Sequence, residues 1–381
     1  MWMQTIMSPL VRPSRGRSGC PGAFPQRRRG FLLCLLSGLA GGCHQTERAI
    51  FEAPDPPIVW PPGPSEPRIR FVGQLGSSTD LRPPPRPFQA LGDLLVGPKK
   101  PQNMYGPRAV VCMADGGEVW IADPGGRCLH VFDLTHRSYK KVERAGSSRL
   151  LNPVGLCPGP NGSVYVCDSE NVGIHQFFAD ASQLPATLRL PEDVRRPVAL
   201  RYEQTTGELF VVDVVSHDIK VLGTDGTLRR VIGRRGVHPG EFNFPCDIAG
   251  DGRTLWVADA GNHRVQGLTL AGDPVTTFGQ AGDAPGDLAL PKSIAMDSDG
   301  HLYVVDARYE NVQIFDQAGR LLLAFGAEGT GPGEFWLPGG IFIDGNDRIW
   351  VCDIYNGRLQ VFDYLRERTE QSVTAPNAGS P

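Results

Sequence analysis

A six-bladed β-propeller, all-β and made of four-stranded antiparallel blades, is the fold class predicted for this chain, on three observations. A Pro, then about 16 residues later an apolar run ending in Asp, then an aliphatic six residues on, recur six times. The Asp residues are Asp123, Asp168, Asp213, Asp259, Asp306 and Asp353, spaced by 45, 45, 46, 47 and 47 residues, a fixed period of the kind that marks repeat architectures. The apolar runs are continuous rather than alternating, as strands buried on both faces require, and radially stacked sheets supply that burial.

Within each unit the inner strand is introduced by Pro107, Pro153, Pro197, Pro245, Pro291 or Pro338. A turn follows: Asp115-Gly116, Asn161-Gly162, Thr206-Gly207, Asp251-Gly252, Asp299-Gly300 and Gly345-Asn346, most of them hairpin signals. The second strand carries an aromatic three residues before its Asp every time: Trp120, Tyr165, Phe210, Trp256, Tyr303 and Trp350. The Asp accepts backbone N–H groups in the next turn, a structural role that explains its recurrence. The third strand holds Leu129, Ile174, Ile219, Val265, Val312 and Leu359. The fourth is visible in Leu228–Ile232, Pro274–Phe278 and Leu321–Phe325, and Gly-rich loops such as Gly236–Phe242 and Gly329–Phe335 lead to the next unit.

The sixth unit has three strands before the chain turns polar. Arg68-Ile-Arg-Phe-Val-Gly73 matches the missing fourth strand, so residues 68–73 are expected to close the ring and remove an open sheet edge. The organisation expected is a signal peptide over 1–42, a Pro-rich extended linker over 43–67, a propeller over 68–365 with an insertion at 82–100, and a disordered tail over 366–381. Phe88–Leu95 in the insertion reads as a short amphipathic helix.

Arg27-Arg28-Arg29 precedes Phe31–Leu36, an apolar stretch too short for a permanent span, and the first 42 residues contain six Arg and no acid. Leu39-Ala-Gly-Gly-Cys43 is similar to a bacterial lipobox and implies lipidation at Cys43, while Arg28–Leu32 resembles a twin-arginine signal. The expectation is export to a bacterial cell envelope, with membrane contact through a lipid anchor only. From residue 43 on, 32 basic side chains face 41 acidic ones, a formal charge of −9 that argues against a nucleic-acid partner. The six Cys beyond Cys43 form no CxxC or zinc-finger spacing; Cys167 and Cys352 precede repeat Asp residues and read as small buried hydrophobes.

Gly-Pro-Gly-Glu-Phe, then Pro, an aliphatic strand, aromatic-Val-x-Asp and Asn-x-Arg-aliphatic-Gln, as in Gly331–Val361, resembles the NHL repeat. Units 3 to 6 fit best; units 1 and 2 lack the Gly-Glu-Phe loop, and unit 5 has Tyr309 and Asn311 where Asn and Arg are usual. The resemblance implies a propeller whose function sits at one face or in the central channel. Among similar propellers, lactonase-like ones hold a divalent metal on several channel carboxylates, and amidoglycolate lyases hold zinc on channel His.

The positions after each Pro lie nearest the channel mouth, and the polar ones are Arg108, Asp247, Lys292 and Ser293, with Asp247 and Lys292 on adjacent units and able to pair. One carboxylate and no His at these positions leave a metal-dependent hydrolase or lyase as the alternative reading. Recognition of an envelope protein or small ligand is the main one, by a monomer without a cofactor, on a face that includes Arg108, Asp247, Lys292, Arg308, Tyr309 and Tyr355. The sequence-level candidates for a metal are His217, His238 and His263, clustered in units 3 and 4.

Overall fold

Gly-marked turns and apolar runs alternate along the chain, and they fold the described residues into six antiparallel blade sheets and one small hairpin, Arg144–Ala145 with Ser148–Arg149. The structure is a computed structural model and describes residues 49–81, 100–113, 116–178 and 183–366. The expected signal segment with Cys43, the insertion between 82 and 99 with its helix, and the tail beyond 366 lie outside the described residues.

Blade 1 comprises Ala109–Met113, Glu118–Asp123, Cys128–Asp133 and Ser138–Val142, in that order from the inside outward. The inner strands of blades 2 to 5 are Pro153–Pro158, Pro197–Glu203, Pro245–Gly250 and Pro291–Met296, each followed by three strands paired in sequence order. Blade 6 begins with Pro338–Ile343, Arg348–Asp353 and Arg358–Tyr364. Its fourth strand is Ile69–Leu75, antiparallel to Arg358–Tyr364 with Ile69 opposite Tyr364 and Leu75 opposite Leu359. The two ends of the propeller therefore share one sheet. A register shift between Phe71 and Gly73 marks the same bulge that interrupts the third and fourth strands of blades 3, 4 and 5.

The described part of the Pro-rich segment departs from the extended linker expected. Val59–Trp60 adds a fifth strand outside Ile69–Leu75, and Trp60 packs 5.8 Å from Phe325 and 5.9 Å from Phe362. Phe51 lies 5.9 Å from Trp350, edge to face, over the bare Cα of Gly73; a Cβ there would come within 2.9 Å of the Phe51 ring. Apolar side chains spaced irregularly among prolines gain more by covering the outer edge of blade 6 than by staying in water.

The core lies between blades. Phe210, Val212 and Ile219 of blade 3 pack with Ile248, Leu255 and Val257 of blade 4, and similar clusters join the other pairs. The six repeat Asp are fully buried. Each holds the loop leading into its own inner strand by accepting backbone N–H groups: Asp168 from Leu151 and Asn152, Asp213 from Arg195 and Arg196, Asp306 from Ala289 and Leu290. The turn after the Asp is bonded too, as from Ser216 to Asp213 and from Tyr309 to Asp306. The carboxylate thus fixes two loops at one end of the blade. Cys167 and Cys352 are buried and free, as are Cys112, Cys128 and Cys157, and Cys246 is a half-buried free thiol.

Candidate functional site

Six inner strands running side by side leave a central channel with a cavity of about 530 Å³, lined by residues from all six blades. That volume is in the range that encloses a small molecule. About half of its wall is Val, Ile, Ala and Gly, and larger side chains such as Tyr202, Met296 and Phe342 line it as well. The tightest point joins blades 6 and 1: the Gly340 N–H donates to the Arg108 carbonyl at 2.8 Å, and a Cβ on Gly340 would meet that oxygen at 2.4 Å. Only glycine permits this approach.

Arg108, Asp247, Lys292 and Ser293 all line the channel, at the end where the inner strands begin. Asp247 and Lys292 do not pair. The Asp247 carboxylate instead accepts from the Ser293 hydroxyl, from Ile294 N–H at 3.0 Å and from Ile248 N–H at 2.8 Å. Ser293 in turn accepts Ile341 N–H at 3.1 Å. A relay therefore runs Ile341 to Ser293 to Asp247 across blades 6, 5 and 4. Burial pushes the Asp247 carboxyl up to about 6, against the lowering effect of Ser293, the two N–H groups and Arg108. Next to it, burial and Asp247 push the Cys246 thiol up to about 12.

Replacing Ser293 with Ala should strand the Ile341 N–H and take from Asp247 one of its three donors. Each unsatisfied buried group costs about 1–3 kcal/mol. The expected result is a lower urea midpoint with an unchanged slope; an unchanged midpoint would show that the relay contributes nothing to stability.

Among the described residues, neither the Lys292 ammonium nor the Arg108 guanidinium has a hydrogen-bond or ion-pair partner. Burial and the neighbouring Arg108 charge lower the Lys292 pKa, partly countered by Cys246. Two cations thus face the same end of a half-buried cavity with the one nearby carboxylate engaged elsewhere. At the opposite end Glu203 is ion-paired with Arg201 at 3.0 Å and bonded to Thr205.

Arg308, Tyr309 and Tyr355 stand apart from the channel, on the turns after Asp306 and Asp353. Tyr355 is 62% exposed and meets Trp336, itself 48% exposed, edge to face at 5.5 Å. Tyr105, 72% exposed, occupies the place in blade 1 that Trp336 occupies in blade 6, two residues before the inner-strand Pro. Trp336 and Tyr105 were absent from the sequence-based face. The readable signal was an aromatic at that position in these two units alone.

His217, His238 and His263 are not brought together as ligands. His217 is buried, its ring lies 4.6 Å from that of Phe244 at a tilt of 58°, and it accepts that residue's N–H at 2.9 Å. His263 meets the Ala289 carbonyl at 2.8 Å, and His238 is exposed. The His217 and His263 rings each serve the seam between their own blade and the next. Among the described residues, ligand atoms converge instead at Asp123, Cys128 and His130 in blade 1.

Residues 291–372 match the DUF5128 family, described as a 6-bladed beta-propeller. No curated protein matches the chain by sequence. Solved structures with the same fold include virginiamycin B lyase from Staphylococcus aureus (16% identity, 68% of this chain and 96% of that one, TM-score 0.51). A gluconolactonase from Xanthomonas campestris is similar at 15% identity, over 69% of this chain and 87% of that one, with TM-score 0.53. An auxiliary nutrient binding protein from Bacteroides thetaiotaomicron is similar at 12% identity, over 68% of this chain and 69% of that one, with TM-score 0.55. At these identities the likeness is one of fold.

Proposed function

We propose that the chain is a binding propeller that recognises a small anionic molecule at the mouth of its channel, exported and held at a bacterial envelope through lipidated Cys43. One observation carries the ligand class: Lys292 and Arg108 face a cavity of about 530 Å³ and, among the described residues, neither makes a direct ion pair. A half-buried cation left unpaired is costly, and a bound carboxylate, sulfate or phosphate relieves that cost. Tyr105, Trp336 and Tyr355 give the same end of the ring an aromatic surface suited to a larger contact. The localisation rests on the Arg27–Cys43 segment alone. The alternative, a metal-dependent hydrolase or lyase in the channel, draws on lyase and lactonase neighbours that share the fold. It has less support, because Asp247 and Glu203 are tied to Ser293 and Arg201 and do not converge.

Titration calorimetry with sulfate and with small di- and tricarboxylates tests the reading. Replacing Arg108 with Gln and Lys292 with Met should weaken binding on the order of a hundredfold, from about 1.5 kcal/mol or more per charge-assisted hydrogen bond. Sulfate stays ionised between pH 5 and 7.5, so the protein sets the pH dependence. Above about 6 the Asp247 carboxylate is anionic and offsets one cation; below it the offset is gone. Sulfate affinity should therefore rise as pH falls through about 6. No binding by the native protein, or equal binding by the double variant, would overturn the proposal; turnover of lactones or esters would favour the enzyme instead.

A further inference from the structure

The repeat makes each blade a control for the others, and blade 1 differs from blades 4 and 6 around its Asp. In blades 4 and 6 the buried carboxylate oxygen is met by three side chains. Asn262 donates to Asp259 at 2.9 Å, Arg264 Nε at 2.8 Å and Gln266 at 3.3 Å. Asn356, Arg358 and Gln360 repeat this on Asp353 at 2.8, 2.8 and 3.2 Å. These residues stand three, five and seven places after the Asp. In blade 1 the same places hold Gly126, Cys128 and His130. Amide, guanidinium and amide are replaced together by nothing, a thiol and an imidazole. Asp123 is as buried as its counterparts and, like Asp168, Asp213 and Asp306, has no Arg five places on.

What remains is a carboxylate, a thiol and an imidazole aimed at one point. His130 Nε2 lies 3.1 Å from Asp123 Oδ2 and 3.5 Å from Cys128 Sγ, and all three ligand atoms lie within 4.8 Å of one another. A tetrahedral zinc with bonds of about 2.0–2.1 Å to N and O and about 2.3 Å to S has edges of about 3.3 Å and about 3.6 Å between those atoms. The observed separations match both edges. Tyr139 Oη bonds His130 Nδ1 at 2.8 Å and fixes the ring with Nε2 toward the cluster, the outer hydrogen bond that metal-binding imidazoles use. Gly126 leaves room: its absent Cβ would sit 3.0 Å from Cys128 Sγ and 3.2 Å from Asp123 Oδ2. Asp123 already accepts N–H bonds from Tyr105, Gly106 and Gly126, so its remaining lone pair, on Oδ2, is the one that faces His130. His175, in the equivalent place in blade 2, has Gly173 where Cys128 stands and bonds Thr187 at 2.9 Å.

We propose that Asp123, Cys128 and His130 form a buried zinc site that takes the place of the Arg–Asp pair of blades 4 and 6. The ion completes the charge around Asp123, with water in the fourth position. It holds the loop at Tyr105–Gly106 beside the channel mouth, because Asp123 binds those two N–H groups. The site is structural: all three ligands are buried, so it loads as the chain folds.

Co²⁺ is the probe. The full chain, refolded from chelator with Co²⁺ alone, should take up one ion and show thiolate-to-cobalt charge transfer in the near ultraviolet with tetrahedral visible bands; Zn²⁺ should bleach both. Cys128→Ser should remove the charge-transfer band. A triple variant, G126N with C128R and H130Q, rebuilds the blade 6 arrangement; it should fold without metal, bind none, and lose the rise in thermal midpoint that Zn²⁺ gives the native chain. Absence of cobalt bands in folded native protein, or bands that persist unchanged in Cys128→Ser or the triple variant, would overturn the site.

Discussion

Deleting Arg68–Leu75 should abolish cooperative folding of the propeller, although the deletion removes none of the six repeat Asp residues or inner strands. Ile69, Phe71 and Leu75 are buried at the blade 6 seams, and Phe71 packs 5.6 Å from Phe362. At about 1.5–3 kcal/mol for each large apolar side chain, these three alone contribute on the order of 5–9 kcal/mol. A whole domain is stable by about 5–15 kcal/mol. The deletion also strips the backbone partners of Arg358–Tyr364 and removes the strand on which Val59–Trp60 docks. Far-ultraviolet circular dichroism with heating checks the outcome: no sigmoidal transition is expected. A synthetic peptide spanning 57–76, added to the deleted chain as it refolds, should restore one, since the strand closes the ring by pairing and packing. An unchanged midpoint in the deleted protein would mean that the ring closes another way. The single change Phe71→Ala, expected to cost about 3–5 kcal/mol, grades the same effect.

How much of this could be read from sequence depended on repetition. The six Asp, the aromatic three before each and the Pro that starts each inner strand were legible because the chain writes them six times. So was the closing strand, whose Ile69 and Phe71 copy the pattern of a fourth strand. Phe51 and Trp60 were not, since a Pro-rich segment used once has no period to compare, and its docking depends on which edge the ring leaves uncovered. The channel residues were found by position, yet their partners were not. Asp247 and Lys292 looked like a pair from their adjacent blades, whereas a shorter reach to Ser293 and two backbone N–H groups takes the carboxylate. Alignment on the Asp also contained the blade 1 anomaly. Columns five and seven places on read Arg and Gln in blades 4 and 6 against Cys128 and His130, but the proximity of thiol, imidazole and carboxylate is a fact of strand pairing.

Replacing Arg358 with Met should be among the most damaging single substitutions, costing about 3–5 kcal/mol, the range for breaking a buried ion pair from one side. The Arg358 side chain is 9% exposed, and its guanidinium donates to four groups at once. It donates to Asp353 at 2.8 Å, to Gln74 of the closing strand at 2.9 Å, to the Gly331 carbonyl at 2.7 Å and to the Glu334 carbonyl at 2.8 Å. Met fills similar space but leaves a buried carboxylate without its cation and takes one donor each from the Gly331 and Glu334 carbonyls, which keep only the Glu334 N–H and the Gln360 amide. The damage should spread to ring closure, because Gln74 ties the same guanidinium to Ile69–Leu75. Arg264 provides the comparison. It binds Asp259, Val237, His238 and Glu241 in the same way, but none of its partners lies on the closing strand. Met at either position should lower the urea midpoint by a similar amount, whereas only Met at 358 should speed amide hydrogen exchange along Ile69–Leu75. Equal exchange in the two variants would separate the role of this arginine from closure of the ring and leave it a loop anchor like its counterpart.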